Sequence, residues 1–329
     1  MVNQIPISVI IPVYNVAPYL DRAIKSLQAQ TFENFEMIFV NDGSSDNSAE
    51  IIANHAENDS RIKLINQENQ GVGMARNRGI DAAIGEYLYF CDPDDWVEPE
   101  LLEVCYQAAK PLGIDLVFFG WFNVYGKKQV PVHKNEYKIT SREDYQTKFI
   151  DLYQEDTIVN YVWSSIVRKD IIDTKWIRFP AVCHGEDFLF MTEVLKYISS
   201  LVSLDQQLYH YVRLRDESAT TKWITHFDDL LINELEQTKA LANHLDIDYR
   251  KVVYQDTMKN VLQITMRLNR QPFSMQYKRQ YMAQFYQKMK AHDLNHFKTH
   301  SFLGFCSVKV YQLKLFRLFI WAIGKLGSK

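Results

Sequence analysis

Tyr87-Leu88-Tyr89-Phe90-Cys91-Asp92-Pro93-Asp94-Asp95-Trp96 is the stretch on which the fold of this chain turns. Its first half, Tyr87 to Cys91, is an unbroken apolar run of strand length, as expected for a strand buried on both faces. Its second half sets three carboxylates at the mouth of that strand. Like charges so placed repel one another and resist leaving water. A hard divalent cation, which takes oxygen ligands, relieves that repulsion, and its open positions accept phosphate oxygens. The plainer alternative is an Asp- and Pro-rich turn in which Asp95 caps the next helix.

Working outward, the first 120 residues alternate apolar strand-like runs with helix-period segments. Strands are expected at Ile7–Val13, Phe35–Val40, Ile62–Ile65, Tyr87–Cys91 and Asp115–Val124. Helices are expected around Leu20–Leu27 and over Ala49–Ala56, Gly73–Ile84 and Glu98–Ala109. This order predicts an α/β fold with a mostly parallel sheet covered by helices on both faces. Ligands bind such sheets at the carboxyl ends of the strands. Polar clusters fall at those ends: Tyr14-Asn15, Asn41-Asp42-Gly43-Ser44, Asn66 to Gly71, and Asp92 to Asp95. Residues 126–225 are mixed in pattern, and residues 226–300 read as helical.

The chain has 329 residues, 47% hydrophobic and 23% charged, which is globular rather than disordered. Its net charge of −3 hides an asymmetry. From Arg250 to Lys329 there are 15 basic residues against Asp256 and Asp293, a net of +13 that leaves −16 for residues 1–249. The end of the chain therefore suits an anionic partner. Four cysteines, far apart and without a CxxC pair, argue against a zinc site or a disulfide framework. The start lacks a basic, signal-like segment, which favours a cytoplasmic protein. Near the end, the longest apolar run is Leu318–Ile323, far short of the ~20 residues that span a bilayer.

Two nucleotide folds are disfavoured. A dinucleotide-binding turn needs glycines after the first strand, and Val13-Tyr14-Asn15-Val16-Ala17-Pro18 has none. No GxxxxGK[ST] phosphate loop occurs.

What remains is an ordered set of motifs: Ser8 to Asn15, Tyr19-Leu20 and Ser26 to Thr31, then Phe35-Glu36 to Asp46, then Asn69-Gln70-Gly71 with Ala75-Arg76-Asn77, then Cys91 to Trp96. Together they resemble glycosyltransferase family 2. The resemblance implies the GT-A fold and transfer of a sugar from a nucleotide donor with inversion. It also implies roles. Pro12 and Tyr14 would line the base pocket, and Asp42 would accept a hydrogen bond from a base N–H such as uracil's. An Asx-turn with Gly43 is the structural alternative for Asp42. Arg76 would face the nucleotide or its phosphates, unless it is an exposed helix charge. Asp92 would hold ribose and Asp94 the metal, Mn²⁺ or Mg²⁺. Relatives more often carry Asp where this chain has Asn41, so the role of that position stays open.

Cys183-His184-Gly185-Glu186-Asp187-Phe188 resembles the Glu-Asp motif of the same family. Asp187 would be the base that takes the proton of the attacking hydroxyl, and Glu186 would orient the acceptor. Acidic residues in a first helical turn also favour the helix dipole without catalysis. In Tyr209 to Ser218, Arg213 or Arg215 would neutralise phosphate and His210 would be an extra metal ligand, although a His between tyrosines also packs.

The last 29 residues carry five basic and no acidic side chains. On a helix over Val308–Leu326, Lys314, Arg317 and Lys325 would share one narrow face beside Trp321, with apolar residues around the rest. That pattern suits an anionic membrane interface, and packing on the protein itself or a homodimer contact is the alternative. Nucleic acid is disfavoured, because the tail shows an apolar face and no aromatic stacking groove.

These features predict a GT-A domain over residues 1–225 and a basic helical region over 226–329. The expected protein is cytoplasmic and peripheral on the inner face of the membrane. It would move a hexose or N-acetylhexosamine from a UDP-sugar to a lipid-linked glycan of a bacterial surface polysaccharide. The alternatives are a soluble or protein acceptor, a nucleotidyltransferase, and a non-catalytic scaffold.

Overall fold

The computed structural model describes residues 5–182, 184–213 and 226–294. The chain divides into two compact units, Met1–Asp216 and Glu217–Lys329. The boundary expected near 225 falls in 214–225, and the tail helix in 295–329, both outside the described residues.

The first unit opens with strand β1 (Ile7–Val13), helix α1 (Ala17–Gln28), β2 (Phe35–Asp42), α2 (Ser48–Ala56), β3 (Ile62–Gln67), α3 (Val72–Ala82) and β4 (Tyr87–Phe90). A two-residue strand, β5 (Trp96–Val97), precedes α4 (Leu101–Ala109) and β6 (Leu116–Tyr125). Then come β7 (Lys128–Val132), β8 (Tyr137–Ile139), α5 (Arg142–Gln154), β9 (Ser165–Arg168), α6 (Lys169–Thr174), α7 (Glu186–Tyr197) and β10 (Leu201–Val212).

Every residue of β1, β2 and β4 is buried, as continuous apolar composition requires of strands covered on both faces. Helix α1 buries Leu20, Ala23, Ile24 and Leu27, one stripe at helical spacing. Strand order across the sheet is β3-β2-β1-β4-β9-β6-β10-β5. The pairs β2–β3, β1–β2, β1–β4 and β6–β10 are parallel. Strand β9 enters between β4 and β6, antiparallel to both. The carboxyl ends of β1, β2, β4, β6 and β10 therefore lie along one edge, joined there by the residues that lead into β9.

Two close approaches fix α3 on this sheet. A Cβ on Gly79 would lie 2.3 Å from Ile10 Cγ2, so only glycine lets the helix sit this near β1. At the opposite edge, buried Glu36 ties three elements together. Its Oε1 accepts from Ser8 Oγ at 2.5 Å and Ile84 N at 2.9 Å, and its Oε2 accepts from Lys63 at 2.6 Å.

The second unit holds α8 (Phe227–His244), α9 (Tyr249–Arg270) and α10 (Met275–Ala291). Asp248 and Ser274 cap α9 and α10 by accepting from Arg250 N at 3.1 Å and Tyr277 N at 3.2 Å. Phe227, Leu231, Leu235, Ile264, Leu268 and Phe285 form its core. Buried Asp228 accepts from Tyr281 Oη at 2.8 Å and Lys288 Nζ at 2.5 Å. Among the described residues no helix is long and apolar enough to cross a membrane.

Candidate active site

At the ends of β1 and β2 the backbone is laced by side chains. Asn15 adopts a left-handed conformation (φ 51°), and its Oδ1 accepts from Ser45 N at 2.8 Å. The N-terminus of α1 has no side-chain cap of its own; Asp46 accepts from Ala17 N at 3.0 Å from the neighbouring loop. Pro12 is buried beneath, while Tyr14 stands 51% exposed and presents its ring to solvent.

Asp42 does not make the Asx-turn offered as its structural alternative. Its carboxylate accepts from Gln70 N at 2.9 Å, Gly71 N at 2.8 Å and Gln67 Nε2 at 2.7 Å, pinning the loop that starts α3. The neighbouring Asn41 instead ties down the loop after β2. Its Oδ1 accepts from Ser44 N at 3.1 Å while its Nδ2 donates to Asn66 at 2.8 Å. An aspartate has no N–H to give Asn66, so asparagine here serves both strand ends.

Arg76, on α3, is the hub of the site. It is 3% exposed, not the exposed helix charge that amphipathicity allows. Its Nη1 donates to Asp187 Oδ1 at 2.5 Å and Glu186 Oε1 at 3.2 Å, and its Nη2 to Asp92 Oδ1 at 3.0 Å. One buried cation thus gathers the carboxylate at the end of β4 and both carboxylates at the start of α7. Burial alone would make these charges costly; the shared guanidinium is what keeps them together. Asp42 and Tyr14 stand at neighbouring strand ends, outside this cluster.

The start of α7 is placed by a clasp that was not foreseen. Asn77, beside Arg76, donates to Phe179 O at 2.8 Å and accepts from Phe179 N at 2.8 Å, as a paired strand would. Phe179 stacks on Phe190 of α7 with centroids 4.0 Å apart. Gly185, left-handed at φ 79°, then turns the chain into the helix. Burial, with Glu186 and Asp92 nearby, pushes the Asp187 carboxyl up to about 7 against the downward pull of Arg76.

Asp95 does not cap α4, whose N-cap residue is Glu100. It is fully buried and accepts from Tyr209 Oη at 2.7 Å and Val212 N at 2.7 Å, holding β10 to the acidic stretch. Burial and Asp92 push its carboxyl up to about 8. Arg22 donates to Asp94 O at 2.7 Å and lies over the Trp96 ring at 4.0 Å. His210 is stacked between Trp96 at 4.6 Å and Phe122 at 5.0 Å, with Nε2 2.6 Å from Glu98 Oε1. Its Nδ1 is buried without a hydrogen-bond partner. Arg213 donates from Nε to Asn123 at 3.0 Å and lies over Tyr211; Arg215 is outside the described residues.

The family model described as glycosyl transferase family 2 matches residues 8–175 of the 329. The chain belongs to that family. Among its relatives, Bacillus subtilis EpsH, named as a glycosyltransferase, is 35% identical over 213 residues, 62% of this chain and 60% of EpsH. The minor teichoic acid biosynthesis protein GgaB of the same organism is 32% identical over 234 residues, 67% of this chain and 25% of GgaB. The crystal structure of S. aureus TarS 1-349 in complex with UDP-GlcNAc superposes with a TM-score of 0.59 at 20% identity, covering 87% of this chain and 73% of that one. That likeness is one of fold, and it agrees with the GT-A architecture expected from the sequence. The family match ends before Glu186 and Asp187, so the second half of the hub lies outside it.

Among the described residues no group of three or more His, Cys, Asp or Glu side chains could hold a metal ion. Asp92, the nearest carboxylate in sequence to Asp94 besides buried Asp95, is committed to Arg76.

Proposed function

We propose that this family 2 chain is an inverting glycosyltransferase that moves a hexose or N-acetylhexosamine from a UDP-sugar to a lipid-linked glycan acceptor. The observation that carries the reading is the Arg76 hub, which ties Asp92 on the expected donor side to Asp187 on the expected acceptor side. Tyr14, exposed above buried Pro12, packs against the uracil ring. Asp42 accepts the base N–H and Asp92 the ribose hydroxyl. Asp94 would hold Mn²⁺ or Mg²⁺, which would supply positive charge to offset that of the leaving diphosphate. Arg213 and Arg215 add positive charge to the same phosphates.

In the chemical step the acceptor hydroxyl oxygen forms a bond to the anomeric carbon from the face opposite the diphosphate. The bond from that carbon to the diphosphate oxygen breaks with its electron pair, and the hydroxyl proton passes to an Asp187 carboxylate oxygen. A carboxyl raised to about 7 suits that task, because a base near ambient pH both stays deprotonated and holds a proton firmly. Glu186 shares Arg76 and orients the acceptor. Bacterial surface-polysaccharide synthesis is the setting favoured by the names of EpsH and GgaB. The basic tail would hold the enzyme to the inner face of the cell membrane.

Radiolabelled UDP-sugars incubated with full-length protein and bacterial membranes test the acceptor class. Label moving into the lipid-extractable fraction supports the reading. Label captured only in soluble or protein material overturns the lipid-linked acceptor in favour of the second reading. A chain ending at Ser301 should keep chemistry on soluble acceptors but no longer sediment with anionic vesicles; unchanged sedimentation contradicts the tail's role.

A further inference from the structure

Between α6, which ends at Thr174, and α7, which begins at Glu186, the described residues form no helix or strand. A helix entered from irregular chain stands only as firmly as that chain is held. Here α3 does the holding. Asn77 Nδ2 donates to Phe179 O at 2.8 Å, and Asn77 Oδ1 accepts from Phe179 N at 2.8 Å. An asparagine amide carries the same donor and acceptor as a peptide unit, so one side chain serves both backbone groups of Phe179. One turn earlier, α3 is bare. A Cβ on Gly73 would lie 3.1 Å from Pro180 O, 3.2 Å from Phe179 Cβ and 3.7 Å from Glu186 Cβ. Gly73 and Asn77 share a helix face, and the segment that leads into α7 lies along it.

From Phe179 the restraint reaches Asp187. The Phe179 ring lies parallel to that of Phe190, with centroids 4.0 Å apart. Phe190 sits one turn after Asp187 on α7. Phe90, the last residue of β4, meets both rings edge-on, at 5.4 Å and 5.5 Å. Arg76 Cζ lies 5.3 Å from the centre of the Phe179 ring. Phe179 is therefore joined to α3 through its backbone and to α7 through its ring, and a shift of Phe179 carries Asp187 with it.

We propose that Asn77 is a positioning residue for Asp187: by fixing Phe179 it sets where the base stands against the attacking hydroxyl. This rests on the glycosyltransferase reading above. Asn77 is 9% exposed and spends its amide on Phe179, so it acts through the chain rather than on the substrate. The Arg76 ion pair holds Asp187 by charge, which tolerates a range of angles. Two opposed hydrogen bonds to one peptide unit do not, and they add the direction that the ion pair leaves free.

A double-variant cycle on the full chain tests this, reading UDP release from UDP-glucose, UDP-galactose and UDP-N-acetylglucosamine together with UDP affinity by calorimetry. Asn77→Ala should lower kcat by roughly 10- to 100-fold, the scale of misplacing a reacting group by about 1 Å, with the KM for the donor and the UDP affinity unchanged. In an Asp187→Asn chain the same substitution should have little further effect, because the group it positions is already gone. Gly73→Ala pushes on the same segment while removing no hydrogen bond and favouring the helix, so it carries the test even if Asn77→Ala does not fold. It too should slow the parent and be nearly silent beside Asp187→Asn. An equal fold-loss in the two backgrounds, UDP affinity falling in step with turnover, or full turnover in both Asn77→Ala and Gly73→Ala overturns the positioning role. A parent chain that releases UDP from no donor, or an Asp187→Asn chain as fast as the parent, overturns the functional reading instead, and the proposal with it.

Discussion

Arg76 Nη1 and Asp187 Oδ1 lie 2.5 Å apart although 111 residues separate them in the chain. The contact closes the site, because the same guanidinium holds Asp92 through its other nitrogen. Removing it leaves three carboxylates, each less than a quarter exposed, facing one another. Arg76→Ala should therefore lose stability on the scale of about 3–5 kcal/mol at neutral pH, the usual result of stripping one partner from a buried ion cluster. Unpaired carboxylates would have folded-state pKa values raised above their unfolded ones, so the deficit should shrink as pH falls towards 5 and the groups take up protons. Urea unfolding of both proteins at pH 5 and pH 8 checks the size and the sign. An equal deficit at the two pH values would contradict the hub.

Asp187 sets the expected pH dependence of the reaction. Its carboxyl is raised from an ordinary 3.8 to about 7, and only the deprotonated form accepts a proton. The value of kcat/KM should rise about tenfold per pH unit on the acid side and level off above about 7. The same shift runs the other way for stability. A folded-state pKa above the unfolded one favours folding while the group is protonated, so this contribution is full below the unfolded value and lost as pH rises through about 7. Asp187→Asn should flatten that fall in a series of melts across pH 4 to 8.

Much of the fold was legible from the sequence because strands buried on both faces must be continuously apolar. Ile7–Val13 matches its expected bounds, and β2 and β3 run two residues further than Phe35–Val40 and Ile62–Ile65 because their last, polar residues still pair. Strand β9 was not legible. Four residues, Ser165–Arg168, carry no periodicity, and their antiparallel insertion between β4 and β6 is a tertiary choice. Candidate site residues were visible as carboxylates at strand ends, but their partners were not. Asp95 has the composition of a helix cap, yet its acceptors are spent on Tyr209 and Val212, more than a hundred residues away.

Gly79 couples packing to the site. An added Cβ would meet Ile10 Cγ2 at 2.3 Å and Cγ1 at 3.2 Å, inside a fully buried strand. Gly79→Ala should cost about 1–3 kcal/mol, the usual range for overpacking. It should also lower turnover, because Arg76 sits one turn away on the displaced helix. Ile10→Ala in the same chain should restore part of the activity by making room, though not the lost stability. Denaturant midpoints and turnover of the single and double variants decide this, and a fully stable, fully active Gly79→Ala would refute the coupling.

Asp94 is the residue offered to the cation. Asp94→Asn should nearly abolish transfer and remove the gain in UDP affinity that Mn²⁺ provides. Calorimetry of UDP binding with Mn²⁺ and with chelator makes the comparison. Equal affinity in the two conditions for the unsubstituted protein would sink the assignment.

The central claim is that one site holds a nucleotide-sugar through the ends of β1, β2 and β4 and attacks it under the control of Asp187. Release of UDP from UDP-glucose, UDP-galactose and UDP-N-acetylglucosamine, with water or added glycan as acceptor, tests it most directly. The unsubstituted protein should release UDP from at least one donor. Asp187→Asn should slow that release by roughly two to four orders of magnitude, the range of general-base catalysis, while binding UDP as before. Release from none of the donors, or an Asp187→Asn variant as fast as the parent, would contradict the account.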